Sequence, residues 1–238
     1  MATIAVAMTK VLHTLAVGAF AAILVASASA PVEARCSDKP APDVDWTDCK
    51  KSGLVLSQAS LDRAVMVKAD LSGTDFGESS LKGADLGKTN LTNVWFVKAD
   101  LTKANLAGAS GSRLRFASAK MQESDLTKVE FSRVDMAQAD LTRANLGGAQ
   151  LIRASFIGAK LKDTDMKFAN LSRANFKDAD LSGADLAGAY LYLTRIAGAD
   201  FSATKGLTSA QLQIACGDAT TKLPPGLMAP SQWLCPES

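Results

Sequence analysis

The sequence predicts an all-β, four-sided solenoid, and three observations carry that prediction. Every fifth residue from Leu56 to Phe201 belongs to one column of thirty positions; twenty-nine hold Leu, Phe, Met or Ile, and Gly111 is the exception. Two residues before each lies a smaller column, mostly alanine, as at Ala59, Ala64, Ala69, Ala84, Ala99, Ala104 and Ala109. A coarser period of twenty sets Phe76, Phe96, Phe116, Phe156 and Phe176 in one line, with Met136 in the gap. A period of five fits neither the 3.6 of a helix nor the alternation of a strand. It does fit a short straight segment followed by a turn, each unit burying its inner face on its neighbours. Four such units per coil would stack like residues twenty apart. Val94, Leu114 and Val134, oversized for the small column, repeat the same spacing, and Phe131 stands one coil after Gly111, where it is expected to fill the void glycine leaves.

The N-terminus is read first as a targeting segment. Lys10 precedes an uncharged run from Val11 to Ala30, followed by the small residues that end a secretory signal peptide. Cleavage is expected after Ala34, giving residues 1–34 as the signal peptide. The alternative, a retained anchor, has a strongly apolar stretch of about 16 residues, short of the ~20 that span a bilayer. No stable membrane insertion is expected after cleavage, and Arg35 argues against a lipid anchor on Cys36. Residues 35–53 are read as an N-terminal cap, 54–204 as the repeat, and 205–238 as a C-terminal cap.

Within the repeat, sixteen of the thirty residues between the two columns are Asp or Asn, the residues turns favour. The motif, as in Ala69-Asp70-Leu71 and Ala104-Asn105-Leu106, resembles that of the pentapeptide-repeat family. The resemblance spans 54–204 without an insertion. It implies a right-handed four-sided parallel β-helix of about 7.5 coils, roughly 36 Å long at ~4.8 Å per coil.

The four cysteines lie outside the repeat. A rod of that length would keep the two ends apart, so the favoured pairings are Cys36 with Cys49 and Cys216 with Cys235. This suits an oxidising compartment, periplasmic or secreted. A metal site would need all four to converge. At the C-terminal end, Thr208 is placed to cap a short helix over 209–215, with Leu207, Leu212 and Ala215 over the open core and Trp233 packing back. The stretch 207–225 resembles C-terminal tails of some bacterial pentapeptide-repeat proteins.

Catalytic chemistry is poorly provided for. His13 is the single histidine and falls in the segment expected to be removed, which leaves no histidine for a triad or a metal. Ser79-Ser80-Leu81-Lys82 matches an S-x-x-K pattern without its companions, and Asn90-Leu91-Thr92 and Asn170-Leu171-Ser172 are sequons that the repeat produces by itself. No enzyme, cofactor or metal is expected.

The outward columns are more informative. Basic residues occupy eleven of the thirty places two after the large residue. Lys103 and Arg143, three residues after Asp100 and Asp140, are expected to pair with them. Arg113, Arg133, Arg153 and Arg173 form one twenty-spaced line, with Arg115 and Arg195 nearby and Trp95 one coil before Arg115. With so many basic residues in these places a run of four arises readily by chance. The sequence therefore leaves the line either as an anion-binding wall or as solvated side chains. Tyr190, Tyr192 and Leu193 are expected beneath the C-terminal cap.

The reading is an exported structural or protein-binding module with an unidentified protein partner and a possible acidic ligand. Some members of the family mimic DNA and shield topoisomerases, but that role resembles an acidic cytoplasmic rod, and this chain carries a formal charge of +2. Nucleic acid is not expected as a partner. A second alternative is binding or processing of an acidic polysaccharide by the arginine face.

Overall fold

The computed structural model describes residues 35–235, so the expected signal peptide lies outside the described residues. Parallel bridges join each residue between the two columns to the one twenty later, from Asp45 with Val65 through Asp185 with Lys205. Four bridges per twenty residues define four walls, and each inner coil hydrogen-bonds to the coils before and after it. Among the described residues only two stretches reach strand length: β1 (Ser110–Ser112) and β2 (Glu130–Ser132), paired in parallel with Gly111 opposite Phe131.

One pentad shows how those that carry Asp or Asn are held. Around Leu106, the Asn105 amide donates to Ala84 O in the preceding coil, and the Leu106 and Gly108 amides donate to Asp125 O and Thr127 O in the next. The Ala109 amide closes a turn on Leu106 O at 2.9 Å. That leaves the Ala107 amide, which donates to the Asn105 side-chain oxygen at 2.9 Å. All five donors are thus satisfied, as backbone in a packed fold must be. The same side-chain bond recurs along this column, for example Asp70 to Ser72, Asp125 to Thr127 and Asp200 to Ser202. The residue two after the large one sits at the corner with positive φ. Glycine and asparagine tolerate that region best, yet here it also holds lysines and arginines, such as Lys103 at φ 60°.

The interior is a single filled column. Phe76, Phe96 and Phe116 stack at 5.0 and 4.8 Å, and Phe156 on Phe176 at 4.9 Å, each pair within about 10° of parallel. These spacings equal the coil rise. Thr and Ser in the small column bury their hydroxyls by donating to carbonyls, as Thr89 does to Leu86 O and Ser79 to Phe76 O. Gly111 leaves no void for Phe131 to fill. A Cβ there would stand 2.8 Å from the Leu91 carbonyl carbon, and the Leu114 Cδ1 already lies 3.1 Å from that point. The coils close in at Gly111, Leu114 takes the space, and Phe131 leans toward Phe116 with ring centroids 6.1 Å apart.

Coil pairing begins at Asp45, where Trp46 fills the core position completely buried. Its indole donates to Asp38 O at 3.2 Å, and the Lys51 ammonium lies 4.2 Å from its ring centroid. Cys36 is bonded to Cys49, with α-carbons 5.5 Å apart. At the other end α1 (Ser209–Gln213) is capped by Thr208, whose hydroxyl accepts from the Gln211 amide. Leu212 and Ala215 are buried, and the Gln211 side-chain amide donates to Leu186 O and Ala189 O at 2.9 and 2.8 Å. The bridge spacing lengthens here, Arg195 pairing with Cys216 and Asp200 with Lys222. Cys216 is bonded to Cys235 with α-carbons 4.6 Å apart, and Trp233 packs against Gly217.

Candidate binding surface

The four walls meet at corners, and two corners rich in cations contrast sharply. At one, Arg63 pairs with Asp43 at 2.6 Å, and Lys103 and Arg143 both pair with Glu123. This departs from the expected pairing of Lys103 and Arg143 with Asp100 and Asp140. Three residues along the chain lead around the corner, whereas the same position in the next coil is one coil rise away. Asp100 instead faces Lys82 and Lys120 on its own wall. Burial would raise its carboxyl, but the Thr102 hydroxyl and amide, with the two lysines, hold it below the ordinary carboxylate range.

The other corner carries Arg113, Arg133, Arg153 and Arg173, one per coil, all exposed and at φ between 53 and 61°. Among the described residues none of the four guanidiniums makes a salt bridge, and Glu130 and Asp135, on the walls to either side, form none with them. Like charges one coil apart repel by a little under ~1 kcal/mol in water. The row is therefore held by its backbone, against its own electrostatics.

Aromatic side chains mark both ends of this row. Trp95 is 46% exposed, and the Arg115 guanidinium lies 5.2 Å from its ring centroid. With Arg113 and Asn93 it borders a shallow depression of about 550 Å³ where Gly53 and Gly73 leave the corner bare. At the far end Arg153, Arg173 and Arg195 line a depression of about 430 Å³ with Asn175 and Leu193. Tyr190 and Tyr192, expected beneath the cap, are exposed and lie parallel with centroids 6.2 Å apart. The C-terminal segment reaches Leu193, whose amide donates to Ile214 O, and leaves the two tyrosines uncovered.

Sequence reasoning set the arginines, Arg195 and Trp95 near one another but missed Asn175, which lines the same depression as Arg153, Arg173 and Arg195. The signal was available, because Asn175 stands one coil before Arg195 on the wall beside the corner. Trp95, Arg115, Tyr190 and Arg195 also replace the Asp or Asn of their pentads. The amides of Val97, Ala117, Tyr192 and Ala197 accordingly lack the side-chain acceptor that their counterparts have.

No helix among the described residues is long and apolar enough to cross a membrane. The sequence matches no curated protein. Among solved structures, a trypsin-treated variant of QnrB1, a plasmid-mediated fluoroquinolone resistance protein, is similar with a TM-score of 0.52 and 18% identity over 64% of this chain and 76% of its own. HetL, a pentapeptide repeat protein involved in heterocyst differentiation regulation from the cyanobacterium Nostoc sp. strain PCC 7120, is 23% identical over 79% of this chain and 92% of its own, with a TM-score of 0.34. A pentapeptide repeat protein of the Arabidopsis thaliana thylakoid lumen is 26% identical over 64% and 81%, with a TM-score of 0.25. The likeness to QnrB1 agrees with the bridging pattern in giving a right-handed quadrilateral β-helix. The family model for pentapeptide repeats matches residues 48–77, 55–93, 96–133, 130–167 and 169–205, and the chain belongs to that family.

Proposed function

We propose that the protein is an exported, non-enzymatic rod that serves as a structural or protein-binding module. In this reading residues 1–34 are a cleaved signal peptide, 35–53 and 205–238 close the two ends, and 54–204 supply about 7.5 coils whose walls are the working surface. The observation that carries it is the division of labour within each pentad. The two inward columns and the Asp or Asn between them hold the fold, and the remaining side chains project from flat walls. The depressions on those walls are shallow and open, a poor setting for catalysis, which favours enclosed sites with convergent polar groups. A disulfide at each end fits an oxidising compartment.

The test is capture from the native envelope fraction with the tagged full chain, beside a form carrying Arg113→Glu, Arg133→Glu, Arg153→Glu and Arg173→Glu and others altered on each remaining wall. A protein partner lost on altering one wall supports the reading and identifies the wall. Capture that no wall change affects, or recovery of the chain from the reducing cytoplasm with free thiols, overturns it.

A further inference from the structure

We propose that the arginine corner, with the aromatic side chains at its two ends, is a binding strip for a linear acidic polysaccharide. The inference rests on the reading of the rod as a non-catalytic binding module and names a ligand class for one corner of it.

Four features select this ligand over a single small anion or an acidic protein. First, the charge is repeated. Four guanidiniums follow one another at ~4.8 Å per coil along a straight edge, so the surface matches a polyanion better than one ion. Second, every cation of the corner row is arginine, whose planar fork binds carboxylate or sulfate through two parallel hydrogen bonds. No lysine stands in that row, and many lysines elsewhere are paired, as Lys98 is with Glu78 and Lys167 with Asp185. Third, the strip ends in exposed ring faces, Trp95 at one end and the parallel Tyr190 and Tyr192 at the other. An aromatic face combines an apolar body with a polar handle, which suits the CH-rich face of a pyranose beside its hydroxyls. A protein helix or strand would call instead for an apolar groove. Fourth, the amides of Val97, Ala117, Tyr192 and Ala197 have no acceptor among the described residues, and nine of the fourteen pentads without Asp or Asn lie on the two walls beside this corner. The depression between Arg153, Arg173, Arg195 and Asn175, about 430 Å³ and open to solvent, has room for one or two sugar rings. An extended chain would enter there and run along the corner toward Trp95. The strip is assigned binding alone, because its depressions are open to solvent and do not enclose a bound chain.

The experiment measures binding of the full-length oxidised protein to sodium polygalacturonate and, in a second arm, to dextran sulfate, by calorimetry and by the part of the tryptophan fluorescence quenching that Trp95→Phe removes. Neutral dextran and poly-L-glutamate serve as controls. Binding to polygalacturonate or dextran sulfate that weakens steeply with salt is expected, the two arms separating carboxylate from sulfate recognition. The triple change Arg153→Gln, Arg173→Gln, Arg195→Gln should weaken it at least tenfold. Tyr190→Ala with Tyr192→Ala should weaken polysaccharide binding severalfold and leave any binding of polyglutamate unchanged. Lys103→Gln with Arg143→Gln, at the paired corner, should have no effect, and circular dichroism should find all variants folded. Absence of binding to both acidic polysaccharides at low salt overturns the proposal. So does equal binding of polyglutamate with no dependence on the tyrosines, which would assign the strip to acidic protein. Loss of polysaccharide binding with envelope capture intact would leave the broader function standing.

Discussion

Filling the one gap in the large column should weaken the rod. By the logic of the repeat, Gly111 is a missing core residue, and Gly111→Ala or Gly111→Leu would complete the line. The geometry says otherwise. A Cβ at this position would lie 2.8 Å from the Leu91 carbonyl carbon and 2.9 Å from the Thr92 nitrogen, both backbone atoms of the preceding coil. Relief requires the coils to separate, lengthening the bonds from the Leu91 amide to Ser110 O and from the Asn93 amide to Ser112 O, now 2.8 and 2.9 Å. Overpacking of this kind costs about 1–3 kcal/mol. Stiffening the unfolded chain returns about 0.4–1 kcal/mol, so Gly111→Ala should lose a net ~1–2 kcal/mol. In a solenoid each unit contacts only its neighbours, so the loss should be local. Hydrogen exchange of the Leu91 and Asn93 amides should accelerate by about 5–30-fold while coils beyond 150 keep their protection. The double variant with Leu114→Ala separates two causes, because Leu114 Cδ1 is 3.1 Å from the same point. Backbone approach predicts no rescue, and a Leu114 obstruction predicts rescue. Unchanged or slower exchange in Gly111→Ala would refute the reasoning.

Three further outcomes follow from the hydrogen bonds and bridges. Asp125→Ala removes the acceptor of the Thr127 amide and should cost about 0.5–1.5 kcal/mol in urea unfolding, whereas Asp125→Asn should be nearly neutral. Asp200 has its pKa lowered to about 2, first by the Ser202 hydroxyl and then by Lys222. A lowered folded value contributes stability that is present above the unfolded carboxylate value of 3.8 and lost as pH falls through about 2. NMR should therefore find the Lys222 segment loosening across that acid window, and Asp200→Asn should abolish the transition. The oxidised protein should titrate with no free thiol among the four cysteines. Reduction should free residues 36–49 and 216–235 to exchange, cost ~2–4 kcal/mol at each end, and promote end-to-end association with the β signature retained.

The core was legible in the sequence because stacking at one coil rise forces residues twenty apart to touch, so Phe76, Phe96 and Phe116 announce their own contact. What failed to show follows from the same geometry. Lys103 is near Asp100 along the chain yet on the far side of a corner, and its partner Glu123 is twenty residues away. Trp46 escaped notice as a core residue because Lys51, polar and half-buried, interrupts the column before Leu56; its ammonium rests over the indole instead. The exposure of Tyr190 and Tyr192 depends on the path of the tail after α1, where the period of twenty lapses. Asp and Asn read as turn residues, yet they stand at the bridged positions of the walls, and nothing in composition says that each accepts from the amide two residues on, inside the turn that follows. The arginine line was visible as a line. Its freedom from ion pairs, and the arrival of Asn175 beside it with Arg195, required the walls to be assembled.

The side-chain lock on the second amide of each pentad makes any departure from Asp or Asn a local sacrifice of about 1 kcal/mol. Restoring Asp at 95, 115, 190 or 195 would tighten the rod and erase the side chains that give that edge its character. Stability and recognition thus compete for the same positions in this molecule. Of the fourteen pentads that give up the lock, nine lie on the two walls beside the arginine corner, and that clustering marks the surface to probe, much as worn steps mark the path through a building of identical rooms.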